Sequence, residues 1–363
     1  MSNPAVQGRG RAPVVIPAGL SLSGVGRRYG DKHAVRDVTF TIEPSEVLCL
    51  LGPSGCGKST LLRLIAGIED LSSGRIAMDG RDISWPGGGV PPEDRGIGMV
   101  FQNYALFPHM TALDNIRFGL DRLPRAEQIA IARHALQRIG LSDLENSYPD
   151  MLSGGEQQRV ALARAMVPRP RMILMDEPFS NLDKRMRDLV RADAVSLLRE
   201  AGVTTLIVTH DPEEAMRIAD RIVLMRAGQV VQIGPAGDLY SHPADLHTAR
   251  FFCEINELSG VVKNGAVATA LGSFPAGDLA EGTLASICIR PVGVGLHPPG
   301  QGVPARVLQR RFNMQVDLFE LAVQGLEAPV LARIRHAPPF QRGDDVSIIV
   351  EASEVLVFPG STP

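Results

Sequence analysis

The sequence predicts an α/β protein built on a parallel sheet, followed by a second, all-β domain. Three observations predict it. Apolar runs at 47–51, 172–175 and 204–209 read as strands buried on both faces, as parallel strands are. Stretches with helical spacing lie between them, among them Ile129, Ala132, Leu136 and Ile139 on one face. After Leu258 the helical spacing stops, and short β-like runs recur between Gly, Pro and charged turns. The 363 residues suffice for two or three domains.

Taken in order, residues 1–18 are rich in Pro, Gly and small side chains. They lack the apolar stretch of a secretory signal and read as a disordered leader. Residues 20–44 alternate apolar and polar, as in Asp37-Val38-Thr39-Phe40-Thr41-Ile42, which is strand and hairpin material. Tyr29 precedes a turn here; it could stack on a flat base or simply pack, and spacing leaves both open.

Gly52-Pro53-Ser54-Gly55-Cys56-Gly57-Lys58-Ser59-Thr60 fits G-x-x-x-x-G-K-[ST], the phosphate-binding loop. The strand 47–51 precedes it, and Leu61, Leu62, Ile65 and Ile68 follow at helical spacing. Glycines let backbone N–H groups turn toward phosphate oxygens, and a helix N-terminus adds partial positive charge. Lys58 is positioned by this motif to reach the β- and γ-phosphates and Ser59 to ligate Mg²⁺. Cys56 reads as a small residue that fits the loop or as a redox switch, the first being commoner.

A hairpin is expected around 76–78, a Pro/Gly-rich loop over 85–92 and a strand over 96–101. Gln102 closes that strand. The apolar loop 103–109 after it reads as a docking patch or as core. Residues 111–140 turn helical, with 126–138 a helix of polar back. Ser153, Gly154 and Gly155 open the next helix, through 167; they are either a second phosphate site or an ordinary N-cap. Asp176 and Glu177 end the apolar run 172–175, at the strand edge where α/β sheets bind ligands. Asp176 suits a magnesium-bound water beside Ser59, and Glu177 a base for an attacking water. His210 ends the strand 204–209; alone, such a histidine is more often structural than catalytic. A hairpin over 222–233 closes this domain, and a helical stretch near 243–253 leads away. Seven β-like runs beyond 258, at 261–262, 266–271, 285–289, 305–308, 316–323, 330–334 and 346–350, predict a small barrel or sandwich without catalytic clusters.

These pieces, in this order, resemble the ATPase subunit of an ATP-binding cassette (ABC) importer over about residues 20–233. Gly52 to Thr60 look like the Walker A loop, 172–177 the Walker B strand and 152–159 the cassette signature. Gln102 looks like the Q-loop, Ser180-Asn181-Leu182-Asp183 the D-loop, His210 the switch histidine and Tyr29 the adenine-stacking aromatic. The β-rich part resembles the regulatory, OB-like (TOBE) domain of the maltose, polyamine, sulfate and ferric-iron group, with Ile289-Arg290-Pro291 matching a short motif there. Residues 90–95 and 101–108 look most like the ferric-iron or polyamine branch, and the cargo leaned to is ferric iron.

The resemblance implies a P-loop NTPase cassette at 19–235, with a helical subdomain near 103–167, a linker helix at 236–257 and the regulatory domain at 258–363. It implies ATP and Mg²⁺ as ligands, with Ser59, Gln102 and Asp176 toward the metal. It implies that Glu177 polarises the water, that His210 contacts the γ-phosphate and that Gln102 senses the metal and water. It also implies a head-to-tail dimer in which Ser153, Gly154 and Gly155 of one copy close over the other copy's nucleotide. Membrane permease subunits and, indirectly, a solute-binding protein would complete a complex at the cytoplasmic face of the inner membrane. Two departures stand out: Glu156 where many relatives carry Gln, and Asn181 where many carry Ala. Glu156 is expected to face away from the phosphates, which it would otherwise repel.

The net charge is −3, and no basic patch points to nucleic acid. No heptad arm interrupts the cassette, which weighs against a soluble cassette ATPase that remodels nucleic acid or ribosomes. A nucleotide-dependent regulatory protein is the third reading. No apolar run approaches the length of a membrane span. Cysteines 49, 56, 253 and 288 show neither metal nor disulfide spacing, which fits a reducing compartment.

Overall fold

A computed structural model of the chain describes residues 16–180, 182, 184–313 and 315–360. Residues 1–15 of the expected leader lie outside the described residues, as do Asn181 and Asp183. Ala18, expected in that leader, is instead fully buried in the core. Its N–H donates to the Arg171 carbonyl at 3.2 Å, and its carbonyl accepts from the Thr204 hydroxyl at 2.8 Å. Burial with both backbone groups satisfied fastens the chain from this point on.

The chain forms two compact units, residues 1–239 and 240–363. The first runs β1 (Leu20–Tyr29), β2 (Lys32–Ile42), β3 (Val47–Leu51), α1 (Lys58–Ala66), β4 (Ser73–Met78), β5 (Arg81–Trp85), β6 (Gly88–Gly89) and β7 (Ile97–Val100). It continues with α2 (Ala112–Arg117), α3 (Arg125–Arg138), α4 (Gly154–Met166), β8 (Met172–Asp176), α5 (Lys184–Ala201), β9 (Thr204–Thr209), α6 (Pro212–Ile218), β10 (Arg221–Arg226) and β11 (Gln229–Gly234). α7 (Ala236–Ser241) spans the boundary between the units.

Two sheets build the first unit. One is antiparallel, ordered β2-β1-β4-β5-β6; the other is ordered β11-β10-β3-β9-β8-β7 and is parallel except for β11. All five residues of β3 and of β8 and all six of β9 are buried. Such uninterrupted burial suits central strands covered on both faces. Helix α1 buries Leu61, Leu62, Leu64 and Ile65 beneath the sheet. It stops at Gly67, which takes φ 79°, so Ile68 falls beyond the helix and is exposed rather than on its apolar face. Arg95 secures that end: its guanidinium donates to the carbonyls of Leu64 and Ile65 in the last turn of α1 and to the Val90 carbonyl outside it, where a helix end needs donors from elsewhere in the fold.

Helices α2, α3 and α4 gather a smaller core of their own around Ile116, Ala132, Leu136, Leu152 and Val160. The helical pattern expected over 111–140 is two helices with a 3₁₀ turn at Phe118–Leu120 between them. Pro124 closes the gap; a proline restricts the residue before it to extended backbone and suits the start of a helix.

The second unit begins with α8 (Leu246–Phe252) and continues as β12 (Asn256–Lys263), β13 (Ala266–Thr269), β14 (Gly272–Pro275), β15 (Leu284–Ile289), β16 (Val294–His297) and β17 (Val303–Asn313). It ends with β18 (Val316–Val323), β19 (Val330–Ile334), β20 (Asp345–Val350) and β21 (Val355–Pro359). The linker helix expected at 236–257 is thus two short helices, separated around Pro243, which cannot continue a helix; β12 already starts at Asn256. Two five-stranded antiparallel sheets, β14-β13-β12-β15-β21 and β16-β20-β17-β18-β19, share one core that includes Val262, Ile287, Phe319 and Ile348. Among the described residues no helix is long and apolar enough to cross a membrane.

Candidate functional site

Strand register assembles the site. Leu51 pairs with Thr209, Asp176 with Val208 and Met175 with Val100. Four strands of the parallel sheet therefore end level. Their C-terminal edge brings together the loop Gly52 to Thr60, His210, the pair Asp176 and Glu177, and Gln102, which lies exposed just past β7. That edge is where parallel sheets place ligands.

The loop's shape needs its glycines. Gly52 takes φ 155°, and a Cβ there would lie 2.2 Å from the Met225 carbonyl oxygen. Gly57 takes φ 106° and would put a Cβ 2.2 Å from the Ala34 carbonyl oxygen. The loop is thus pressed against β10 on one side and β2 on the other, with no room for a side chain. Cys56 bonds across the same contact, its carbonyl accepting from the Gly228 N–H at 2.9 Å. Burial pushes the Cys56 thiol up, against the pull of Lys58, which favours the small-residue reading over a redox switch.

Lys58 is 4% exposed. Its ammonium donates to the carbonyls of Gly52 and Pro53 at 2.7 and 3.0 Å, so it points into the concavity of the loop. The Ser59 hydroxyl donates to Asp176 Oδ1 at 2.9 Å. Burial raises the Asp176 pKa, with the Ser59 bond opposing and the Glu177 charge adding to the rise. A buried carboxylate paired with a hydroxyl, beside a phosphate loop, is a hard-oxygen donor set. Among the described residues there is no cluster of three His, Cys, Asp or Glu that could hold a metal. The Ser59–Asp176 pair fits the one or two protein oxygens that Mg²⁺ takes, the rest coming from water and phosphate.

Glu177 is a non-glycine residue at φ 44°. Its N–H donates to the Val208 carbonyl at 3.0 Å, which offsets part of the cost of that backbone. The turn aims its carboxylate at His210: Oε2 and Nδ1 are in hydrogen-bond contact at 3.0 Å. A carboxylate held by a histidine at a phosphate site is arranged to orient water.

Ser153, Gly154 and Gly155 are not at this edge. They start α4 in the helical part, where Ser153 is the N-cap. Glu156 bonds within its own helix. Its carboxylate folds back and accepts from the Ser153 N–H and hydroxyl, both at 2.7 Å, completing a capping box. Those two bonds lower its pKa. Tyr29 ends β1 in the antiparallel sheet, half exposed, with Arg27 over its ring at 4.7 Å. The loop 103–109, read as a docking patch or as core, divides between the two. Tyr104 is buried and takes φ 59°, because the turn after β7 swings its ring inward. Phe107 stays half-buried and meets the exposed Phe118 at 4.4 Å between ring centroids.

The sequence reading missed Glu214, buried on α6 with one carboxylate oxygen unpartnered. It also missed Glu69, and it read Arg95 only as part of the family-like stretch 90–95. The Glu69–Tyr29 and Arg95–α1 contacts cross 30 to 40 residues of chain, so no local spacing marks them.

A phosphate loop, a hydroxyl–carboxylate pair and a second carboxylate on a parallel-sheet edge define a P-loop nucleoside-triphosphate hydrolase. The comparisons refine the class. The ABC transporter family matches residues 35–180. The sulfate/thiosulfate import ATP-binding protein CysA 2 of Chromobacterium violaceum is 39% identical over 353 residues, covering 94% of this chain and 95% of that one. The Fe(3+) ions import ATP-binding protein FbpC of Streptomyces coelicolor is 39% identical over 350 residues, 95% of this chain and 98% of that one. The spermidine/putrescine import ATP-binding protein PotA of Roseobacter denitrificans is 39% identical over 310 residues, 85% and 83%. Among solved structures, the dimeric post-hydrolysis state of the ATP-binding cassette MJ0796, bound to ADP and Pi, matches with a TM-score of 0.53 and 30% identity over 60% of this chain and 98% of that one. The chain belongs to the ATP-binding subunits of ABC importers and is an ATPase.

Proposed function

We propose that this chain works as one of two cassettes that face each other head to tail against a membrane permease, each hydrolysing ATP to drive uptake of a small charged solute. The observation that carries the proposal is the incompleteness of the edge. Gly52 to Thr60, Gln102, Asp176, Glu177 and His210 converge there, while Ser153, Gly154 and Gly155 do not. A second copy would supply that signature helix, whose N-terminal N–H groups suit a γ-phosphate. The dimeric form of the MJ0796 relative supports this arrangement, and the import functions in the relatives' names support the permease.

In this reading the backbone of Gly52 to Thr60 wraps the phosphates. Lys58 leaves its loop carbonyls for the β- and γ-phosphate oxygens. Ser59, Asp176 and Gln102 would hold Mg²⁺, which would supply charge neutralisation at the phosphates. Glu177 accepts a hydrogen bond from the attacking water and polarises it. His210 steadies Glu177 through the bond already present and reaches toward the γ-phosphate. Tyr29 stacks on the adenine. Positioning and charge stabilisation are the work such a site does. ATP favours closure because it contacts both copies only in the closed state.

Ferric iron is the narrower cargo reading; residues 90–95 and 101–108, which suggested it, resemble the polyamine branch as well. Relatives that import sulfate and polyamines are equally similar, so the solute is decided by subunits other than this one. The test is purification of the tagged chain from detergent-solubilised membranes. A polytopic permease in the eluate is expected, with a solute-binding protein from the same system then assayed against Fe³⁺, sulfate and polyamines. Ribosomal or DNA-repair proteins with no permease would overturn the transport reading and leave the ATPase site intact.

A further inference from the structure

The end of α1 opposite the phosphate loop has a second set of contacts. Gly67 ends the helix, and residues 69–72 then run alongside the end of β1. The Ser72 N–H donates to the Gly26 carbonyl at 2.8 Å. The Arg28 N–H donates to the Ser72 hydroxyl at 3.0 Å, and the Arg27 guanidinium donates to the Asp70 carbonyl at 2.8 Å. Glu69 lies at the centre. It accepts the Tyr29 phenol hydrogen bond and pairs at 3.6 Å with both Arg27 and Arg63. Arg27 covers one face of the Tyr29 ring. Its Nε is buried without a hydrogen-bond partner, facing Glu69 across that 3.6 Å gap.

We propose that Glu69 and Arg27 are positioning residues that hold the Tyr29 ring as a fixed platform for the purine of ATP. The proposal rests on the base-stacking role of Tyr29 proposed above. An exposed tyrosine at a turn rotates about two side-chain bonds, and binding must freeze them. Here the phenol oxygen is tied at one end and a guanidinium occupies one face. Tyr29 remains 44% exposed, which leaves the other face open. Ordering is complete before the ligand arrives, so stacking is not offset by the entropy of fixing the ring. The same nine-residue helix presents Lys58 at its start and leads to Glu69 at its end. Phosphate loop and base platform are thereby held to one rigid element.

The test measures dissociation constants of ATP and of inorganic tripolyphosphate for the full chain, without hydrolysis, in wild type, Tyr29→Phe, Glu69→Ala, the double variant and Tyr29→Ala. Tripolyphosphate carries the phosphates and no base. Tyr29→Phe and Glu69→Ala should each weaken ATP about fivefold, the scale of one lost hydrogen bond, and leave tripolyphosphate unchanged. The double variant should be no weaker than either single one. A tyrosine that stacks unaided tolerates the loss of its hydroxyl. Wild-type ATP affinity in Tyr29→Phe and Glu69→Ala, with Tyr29→Ala weakened, would therefore overturn the clamp and keep the platform. Wild-type affinity in Tyr29→Ala would remove the platform, and the clamp with it. Equal losses for both ligands would mean a general disturbance of the fold, which also overturns the proposal.

Discussion

Replacing Glu214 by Gln should make the protein more stable at alkaline pH and change little in acid. Glu214 sits on α6, 4% exposed, with Oε1 unpartnered. Burial raises its pKa to about 7 from 4.5; the nearby Asp211 adds to the rise, and Arg191, Arg187 and the Thr209 hydroxyl oppose it. A carboxyl whose folded pKa is raised stabilises the fold while both states stay protonated, below its unfolded value. That contribution is lost as the unfolded chain ionises first, and the loss is complete once pH passes the folded value. The window is therefore pH 4.5 to about 7. At about 1.4 kcal/mol per unit the whole loss is about 3 kcal/mol, of which about 2 kcal/mol falls above pH 5.5. Gln is close in size, keeps a hydrogen-bonding carbonyl and does not titrate. The assay is urea unfolding of wild type and Glu214→Gln from pH 5.5 to 8, followed on the transition of the first unit. The difference cancels every other titrating group common to both. The variant's advantage should grow by about 2 kcal/mol across that range. A constant difference, or one that shrinks as pH rises, would refute the assignment of a buried, neutral Glu214.

Three further outcomes follow from the site. Glu177→Gln keeps the side-chain shape and removes the base, so steady-state hydrolysis should fall roughly 10²-fold or more with ATP still bound; unchanged turnover would exclude Glu177 as the group acting on water. Lys58→Ala removes the ammonium from the loop, and equilibrium binding of labelled ATP should be weakened or lost; wild-type affinity would place Lys58 outside the site. Gly57→Ala forces a Cβ to within 2.2 Å of the Ala34 carbonyl oxygen at φ 106°. The strain should cost about 1–3 kcal/mol and lower ATP affinity along with the melting temperature, whereas a wild-type melting curve would show that the loop and β2 part easily.

The strands and helices were legible wherever one residue run decides the outcome. The apolar run 47–51 needs cover on both faces wherever it lies, and β3 is central. Helices α3 and α4 fall within one residue of their expected limits, because their apolar spacing and N-terminal signals are local. In the β-rich unit the runs 316–323 and 330–334 match β18 and β19. Strands β14, β16 and β21 were not anticipated: they have four or five residues and include Gly or Pro, so pairing with longer neighbours makes them strands. β17 runs past its apolar start to Asn313 because β18 pairs with it along that length.

The site divides in the same way. The sequence by itself determined which groups are present: the glycines that only tight backbone turns require, Lys58 and Ser59 at a helix start, and two carboxylates after a buried strand. Each is a property of a few adjacent residues and survives in any fold that keeps strand, loop and helix together. Tertiary structure alone decided how they meet. Parallel register sets Asp176 against Ser59 and Glu177 against His210. Packing turned Tyr104 inward. It buried Glu214 and tied Glu69 to Tyr29 across 40 residues of chain. Glu156 belongs between the two, since its fold-back onto Ser153 is a local capping contact legible in the Ser-x-x-Glu spacing. The physical reason is range. Backbone preference and apolar periodicity act over a few residues, whereas desolvation and side-chain pairing depend on which distant segments the fold brings within a few ångströms.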